Sequence, residues 1–329
     1  MFTLSRRDFL TSTAATTAAL SFGLTPSEIW AAAPPVGKQA AGFYRYKVGD
    51  FEVTQLADGA RTFPMPDTFV VNQKKEDALA AAEAAFLPKG QVTIPFNPMV
   101  INTGSKLVVI DTGNGLGAFE QSKGAVGQMN ANMRAAGIDP AAVDIVVISH
   151  FHGDHLGGLK TADGKPVYPN AEIKVPAPEF AFWSDEANAA KANSFNKAQF
   201  PNVKKMLDGL DKATKYQPGS EVAPGITSVA TPGHTPGHTS FVVSSGAGKL
   251  LVQSDVTNIP ALFLRHPDWH VSFDNDPAQA QATRHKFYDM AVAEKALVAG
   301  YHFSFPSLGH VEKDGTGYRL VPVAWNPSI

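Results

Sequence analysis

The chain contains no cysteine. That absence excludes disulfides, thiolate nucleophiles, cysteine-bearing zinc sites and cysteine-held iron–sulfur clusters, so any metal must be held by imidazole and carboxylate. An excess of one charge is missing too. Lys+Arg 28 against Asp+Glu 30 gives a formal net charge of -2, without the broad positive field that concentrates nucleic acid or anionic lipid. No nucleic-acid partner is expected. Long hydrophobic runs are also lacking. The apolar stretch that ends at Leu24 is too short, and too rich in Thr and Ser, to supply the roughly 20 apolar residues that span a bilayer. What the 329 residues do have is 44% hydrophobic content, enough for a substantial core, and 10 histidines whose placement is informative.

At the N-terminus, Ser5-Arg6-Arg7-Asp8-Phe9-Leu10 is followed by a Thr/Ala-rich, weakly apolar stretch and then Ala31-Ala32-Ala33. The order of Arg pair, apolar stretch and small residues resembles a twin-arginine export signal over residues 1–33. It implies the twin-arginine machinery as a partner and a periplasmic or secreted, soluble product. Residues 34–329 then read as a single catalytic domain.

Within that domain, Phe43 to Leu56 alternates as strands do, and Lys74 to Phe86 has the composition of a helix. Lys106 to Ile110 predicts a strand that stops in the turn Asp111-Thr112-Gly113-Asn114-Gly115. Gln121 to Ala136 predicts a helix stopped by Gly137, and Val143 to Ile148 a buried strand running into Ser149-His150. Further strands are expected at 225–230, 249–253, 296–299 and 318–323. Strands alternating with helices indicate a layered α/β architecture.

His150-Phe151-His152-Gly153-Asp154-His155 places three imidazoles and a carboxylate in six residues directly after a strand. His150 and His152, two apart, can face one point of an extended turn, while Asp154 and His155 reach a second. That pattern suits two adjacent metals. Gly157-Gly158 permit close approach by neighbouring chain. A second strand end opens into Thr231-Pro232-Gly233-His234-Thr235-Pro236-Gly237-His238, a third reaches Ser254-Asp255, and a fourth runs through Gly300-Tyr301 into His302. Sites of α/β folds assemble from such carboxyl-terminal strand ends.

Taken in order, Asp111-Thr112-Gly113, the His150 to His155 cluster, the Thr231 to His238 loop, Asp255 and His302 resemble the motifs of the metallo-β-lactamase superfamily. The resemblance covers nearly all of the chain after the signal and implies an αββα sandwich of two mixed sheets flanked by helices. It also implies the ligands: His150, His152 and His234 for one metal, Asp154, His155 and His302 for the other, and Asp255 bridging both. Asp111 and His238 are then expected to hold ligands from behind.

Two divalent ions, zinc first but manganese, cobalt or iron also accepted by such donors, would generate a bridging hydroxide at neutral pH and polarise a carbonyl or phosphoryl oxygen. Asp154 and Asp255 are the expected catalytic carboxylates. The resemblance is strongest to exported lactonases and to methyl-parathion-hydrolase-like phosphotriesterases. It implies opening of lactones or cleavage of related aryl esters, with aryl phosphotriester hydrolysis as the alternative. A glyoxalase-type thioesterase and a non-catalytic metal-binding protein are further alternatives. Many acyl-homoserine lactonases carry a Tyr three residues after the bridging Asp; here that position is Asn258, whose amide can also donate to a carbonyl oxygen. A helical lid is expected within about 160–225, with Trp183, Phe195, Phe119 and Phe273 as pocket walls for a neutral substrate. Lid-bearing relatives imply a homodimer. His266, His270, His285 and His310 are read as surface or core residues.

Overall fold

The computed structural model describes residues 36, 37 and 39–329, so the proposed export signal lies outside the described residues. The chain enters with a hairpin of β1 (Phe43–Val48) and β2 (Phe51–Leu56). β3 (Gly59–Pro64) and β4 (Gln91–Phe96) form a separate two-stranded ribbon, with α1 (Lys75–Ala84) in the connection between them. β5 (Met99–Asn102) and β6 (Leu107–Ile110) follow, then α2 (Gly115–Gln121), α3 (Met129–Ala135), β7 (Ile145–Val147) and the single turn α4 (Gly153–Leu156). β8 (Glu172–Pro176), α5 (Ala177–Ser184), α6 (Ser194–Leu207) and β9 (Thr214–Tyr216) complete the first half. The second half holds β10 (Glu221–Ala223), β11 (Ile226–Ala230), β12 (Thr239–Ser245), β13 (Gly248–Val252), α7 (Pro277–Glu294), β14 (Leu297–Ala299), β15 (Leu308–Asp314) and β16 (Gly317–Pro322).

One seven-stranded sheet has the order β1-β2-β5-β6-β7-β8-β9 and the other runs β10 to β16 in sequence. Both are mixed: β6 through β9 pair in parallel, as do β13 and β14, and the remaining pairs are antiparallel. The two-residue period of a strand explains how the layers stack. Val108, Ile110, Ile145 and Val147 share one buried cluster with Phe241, Val243, Leu250 and Val252 of the other sheet. The intervening Val109 and Val146 point the opposite way, into a cluster with Met129, Met133, Trp183 and Phe200 of the helices. On the far side, Leu251 and Val298 meet Phe287, Tyr288 and Ala291 of α7. The order helix, sheet, sheet, helix is the expected αββα sandwich. Strands buried on both faces need apolar residues at every position, which is why Ile145-Val-Val-Ile148 reads as an unbroken run.

Two expectations need correction. The helix predicted from Gln121 to Ala136 is two helices, α2 and α3, because Lys123, Gly124 and Gly127 take positive φ between them. The stretch 160–225 is only partly a helical cover, since β8, β9 and β10 lie within it and the first two belong to the first sheet. Among the described residues, no helix is long and apolar enough to cross a membrane.

Candidate metal centre

The sandwich brings together the ends of β6, β7, β13 and β14. Asp111 follows β6, the His150 cluster follows β7 and opens α4, Asp255 follows β13 and His302 follows β14. His234 arrives from the turn between β11 and β12. The turn after β6 and the helical turn after β7 meet backbone to backbone, with Thr112 N and Oγ1 both donating to the His155 carbonyl. A Cβ on Gly158 would stand 1.9 Å from the Thr112 carbonyl oxygen, so this approach needs glycine there.

All seven expected ligand residues converge. Donor atoms of His150, His152 and His234 lie within 4.8 Å of one another, and so do those of Asp154, His155 and His302. Asp255 stands between the triads. Its Oδ2 is 2.9 Å from His302 Nε2 and 3.3 Å from His234 Nε2, while its Oδ1 is 3.3 Å from His155 Nε2.

Outer hydrogen bonds decide which nitrogen of each ring carries the proton. His155 Nδ1 donates to Asp111 Oδ2 at 2.8 Å, His234 Nδ1 to Asp274 Oδ1 at 2.9 Å and His302 Nδ1 to the Pro95 carbonyl at 2.8 Å. His150 Nδ1 donates to Ser149 Oγ, which itself donates to Asp111 Oδ2. His152 Nε2 donates to Asn196 Oδ1 at 2.6 Å. The Asn196 amide cannot be turned round, because its Nδ2 donates to Asn193 Oδ1 and the Phe273 carbonyl. With one ring nitrogen of each engaged outward, the other nitrogen of all five imidazoles points inward. His152 Nδ1 sits 3.0 Å from both His150 Nε2 and His234 Nε2, with no hydrogen left to place between them.

Such a centre calls for cations. His155 Nε2 and Asp255 Oδ1 are buried and lack any hydrogen-bond partner, a cost that ligation removes. The donor set, imidazole nitrogen and carboxylate oxygen, fits divalent metals. Protonation follows the same demand. Burial opposes charge on His155 and His302, yet Asp255 with Asp154 and, at His155, Asp111 holds both above the usual imidazole range. Burial, reinforced by neighbouring rings, pulls His150 down and His152 to about 3. Asp154 and Asp255 stay below the usual carboxylate range, because His155 and His302 outweigh burial.

His238 donates from Nδ1 to the Thr231 carbonyl and accepts the Asp255 N–H at Nε2, at 3.0 Å. It faces the backbone of Asp255, and burial pulls its pKa to about 3. Several supporting residues have no motif around them. Asp274 joins His234 to the buried Arg284, whose other donors go to the carbonyls of Val256, Pro267 and Trp269. Glu179 accepts from Phe151 N, Trp183 Nε1, Thr235 Oγ1 and Gly237 N, tying α5 to both histidine loops. Tyr301, inside the fourth strand-end motif, donates to the Asp154 carbonyl and lies over the His155 ring. The one available signal was the Asn193 and Asp276 helix starts, which mark α6 and α7 without revealing their targets.

The centre floors a cavity of about 900 Å³. Phe195, Asn258 and Phe273 line it, and the Phe195 and Phe273 rings pack 4.7 Å apart. Trp183 does not: it is a buried residue of α5, with its indole N–H on Glu179 and its ring against Phe200. Phe119 is exposed, and its neighbours Gly117, Ala118 and Gln121 line the cavity instead. His266, His270, His285 and His310 lie outside the centre; His270 bonds Gln281 and His285 bonds Asp268.

Residues 96–302 match the family model of the metallo-beta-lactamase superfamily. The chain is 34% identical over 132 residues to the N-acyl homoserine lactonase AttM of Agrobacterium fabrum (strain C58 / ATCC 33970), a match covering 38% of this chain and 43% of that one. The chain thus spans less than half the length of that curated relative. Among solved structures it is similar to AidC, a dizinc quorum-quenching lactonase, with a TM-score of 0.81 and 28% identity over 87% of this chain and 98% of that one. It is also similar to the hydrolase AbOPH, with a TM-score of 0.79 and 27% identity over 88% and 100% of the two chains.

Proposed function

Because the chain belongs to the metallo-beta-lactamase superfamily, we propose that it is a dinuclear-metal hydrolase that opens lactones or cleaves related aryl esters. The observation that carries the reading is the set of five imidazole nitrogens turned inward around Asp154 and Asp255 at the floor of a large cavity. Similarity to a dizinc lactonase over most of both chains supports it and favours zinc. His150, His152 and His234 would hold one ion, Asp154, His155 and His302 the other, and Asp255 reaches both. When bound, two divalent cations supply Lewis acidity, lowering the pKa of water and polarising an acyl oxygen.

The remaining work falls to the chain. Asp154 is the more exposed carboxylate of the centre and lines the cavity. Its free oxygen can take the proton released as water adds to the acyl carbon, and return it to the alcohol oxygen as the C–O bond breaks. Tyr301 and Asp111 keep Asp154 and His155 in place from behind. Asn258, beside Asp255 on the cavity wall, offers an amide N–H to the acyl oxygen. Phe195 and Phe273 provide an apolar wall that limits access of bulk water.

The test is kcat/KM for an aromatic lactone against an aryl phosphotriester on one zinc-loaded preparation. A ratio far above one is expected; a ratio far below one would replace lactones by phosphotriesters as the substrate class. Asp255→Ala should abolish turnover in a folded protein, and full activity would refute the dinuclear reading. The motif at 1–33 supports export, which cell fractionation of the full chain checks.

A further inference from the structure

The cavity wall mixes two kinds of residue. Phe63, Ile94, Phe96, Phe195 and Phe273 are apolar. Arg61, Asn114, Gln121, Gln199, Asn202 and Lys205 line the same cavity. Four amides and two cations are an unusual lining for a lactone carrying only an alkyl tail, which gains nothing from hydrogen-bond donors. Outside the metal-binding residues, Arg61 and Lys205 are the charged groups of the cavity wall.

Neither cation is neutralised by a near neighbour. Among the described residues, no carboxylate lies within ion-pair distance of Arg61 or Lys205, whereas the adjacent Lys204 pairs with Glu186. Arg61 is nevertheless aimed. It donates to Asn114 Oδ1, and Asn114 is fixed in that orientation because its Nδ2 donates to the buried carboxylate of Asp58. Asp58 is in turn occupied by the backbone N–H groups of Asn114, Gly127 and Met129. A guanidinium is thus anchored at the cavity wall with donors to spare. Arg61 and Lys205 are 144 residues apart (205 − 61) in the sequence, so only the fold brings them to one cavity. The sequence therefore suggested a neutral substrate.

We infer that this cavity takes a substrate with a carboxylate on its non-reacting end, with Arg61 and Lys205 as the counter-charges. The inference rests on the hydrolase reading above and narrows it to lactones or esters bearing an acidic tail.

The experiment compares two aryl esters that differ only at the tail, a terminal carboxylate and its methyl ester, on the zinc-loaded full chain. Two exposed counter-charges amount to about tenfold in kcat/KM. The parent should therefore prefer the carboxylate ester by about that factor at low salt, and the preference should shrink in 0.5 M salt, where the screening length is about 4 Å. Arg61→Gln with Lys205→Gln should bring the ratio to about one, Arg61→Lys should retain most of it, and Lys204→Gln should leave it unchanged. Turnover of both esters with a ratio near or below one overturns this inference and leaves the hydrolase standing. A tenfold ratio that survives the double substitution overturns the assignment to these two cations. Turnover of neither ester removes both readings.

Discussion

At the scale of single residues, the centre is organised by what stands behind the ligands. Asp111 and Ser254 adopt left-handed backbone, φ 59° and 51°, a conformation that costs non-glycine residues about 1–3 kcal/mol and persists only where the surroundings enforce it. For Asp111 the enforcement is visible: Oδ1 accepts from Ser149 N, and Oδ2 from Ser149 Oγ and His155 Nδ1. Asp111→Asn offers one acceptor oxygen to donors on both sides. If its amide N–H turns to His155, that ring moves its proton to Nε2 and can no longer ligate. We expect affinity for one of the two ions to fall by about 10–100-fold, measured by competition with a chromophoric chelator. Parent-like affinity for both would show that Asp111 does not set the His155 tautomer. The ligands were legible in the sequence because they crowd into short motifs at strand ends, and Asp111 was legible because it sits at one. Asn196, Asp274 and Arg284 were not. Each is a lone polar residue whose partner lies on another element, so nothing in its own neighbourhood distinguishes it from a solvated side chain.

At the scale of elements, the same limit explains what happened to the cover over the cavity. Trp183 was expected on the pocket wall, but α5 is apolar along most of its length and the indole turns inward to reach Glu179. Buried strands such as β7 were easy to read, since apolar runs admit few alternatives. The break between α2 and α3 was missed although two of its three positive-φ residues, Gly124 and Gly127, are of the type that ends helices; Lys123 carries no such signal. Glu179 is the joint between α5 and the ligand loops, with two donors on each oxygen. In Glu179→Gln the new amide can keep Thr235 as an acceptor of its N–H but meets the Gly237 N–H donor to donor. One buried donor loses its partner, which costs about 1–3 kcal/mol. The urea midpoint should fall at constant slope, and further in Glu179→Ala. A midpoint equal to the parent's in both variants would mean the clamp bears no load. The second joint is Asn193, whose Nδ2 donates to the carbonyls of Ser272 and Asp274. Asn193→Ala should raise KM for the lactone, since Phe195 and Phe273 lose their registration, and also lower kcat, since Asn196 loses the acceptor that orients it toward His152. An unchanged KM would confine the effect to the metal ligands.

At the scale of the whole molecule, the ligands divide between the two sheets. His150, His152, Asp154 and His155 follow β7 of the first sheet, whereas His234, Asp255 and His302 belong to connections of the second. Each proposed ion is therefore held across the sandwich: one joins His150 and His152 to His234, the other joins Asp154 and His155 to His302, and Asp255 spans both. Without cations, the crowded inward nitrogens of His150, His152 and His234 and the buried, partly unpartnered carboxylate of Asp255 oppose closure of that interface. A ligand bound only by the folded state stabilises it by about 2.7 kcal/mol at a free concentration one hundred times its Kd. Two such ions should contribute roughly twice that, and dialysis against a chelator should lower the urea midpoint accordingly. The decisive quantity is the slope. If unfolding releases two ions, unfolding free energy should rise by about 2.7 kcal/mol for each tenfold increase in free zinc, against about 1.4 for one. Hydrogen exchange should slow together in β6, β7, β13 and β14 as zinc is restored, because both sheets are tied by the same pair. A slope near 1.4 with protection confined to one sheet would reduce the centre to a single ion and remove the basis for a shared carboxylate at Asp255.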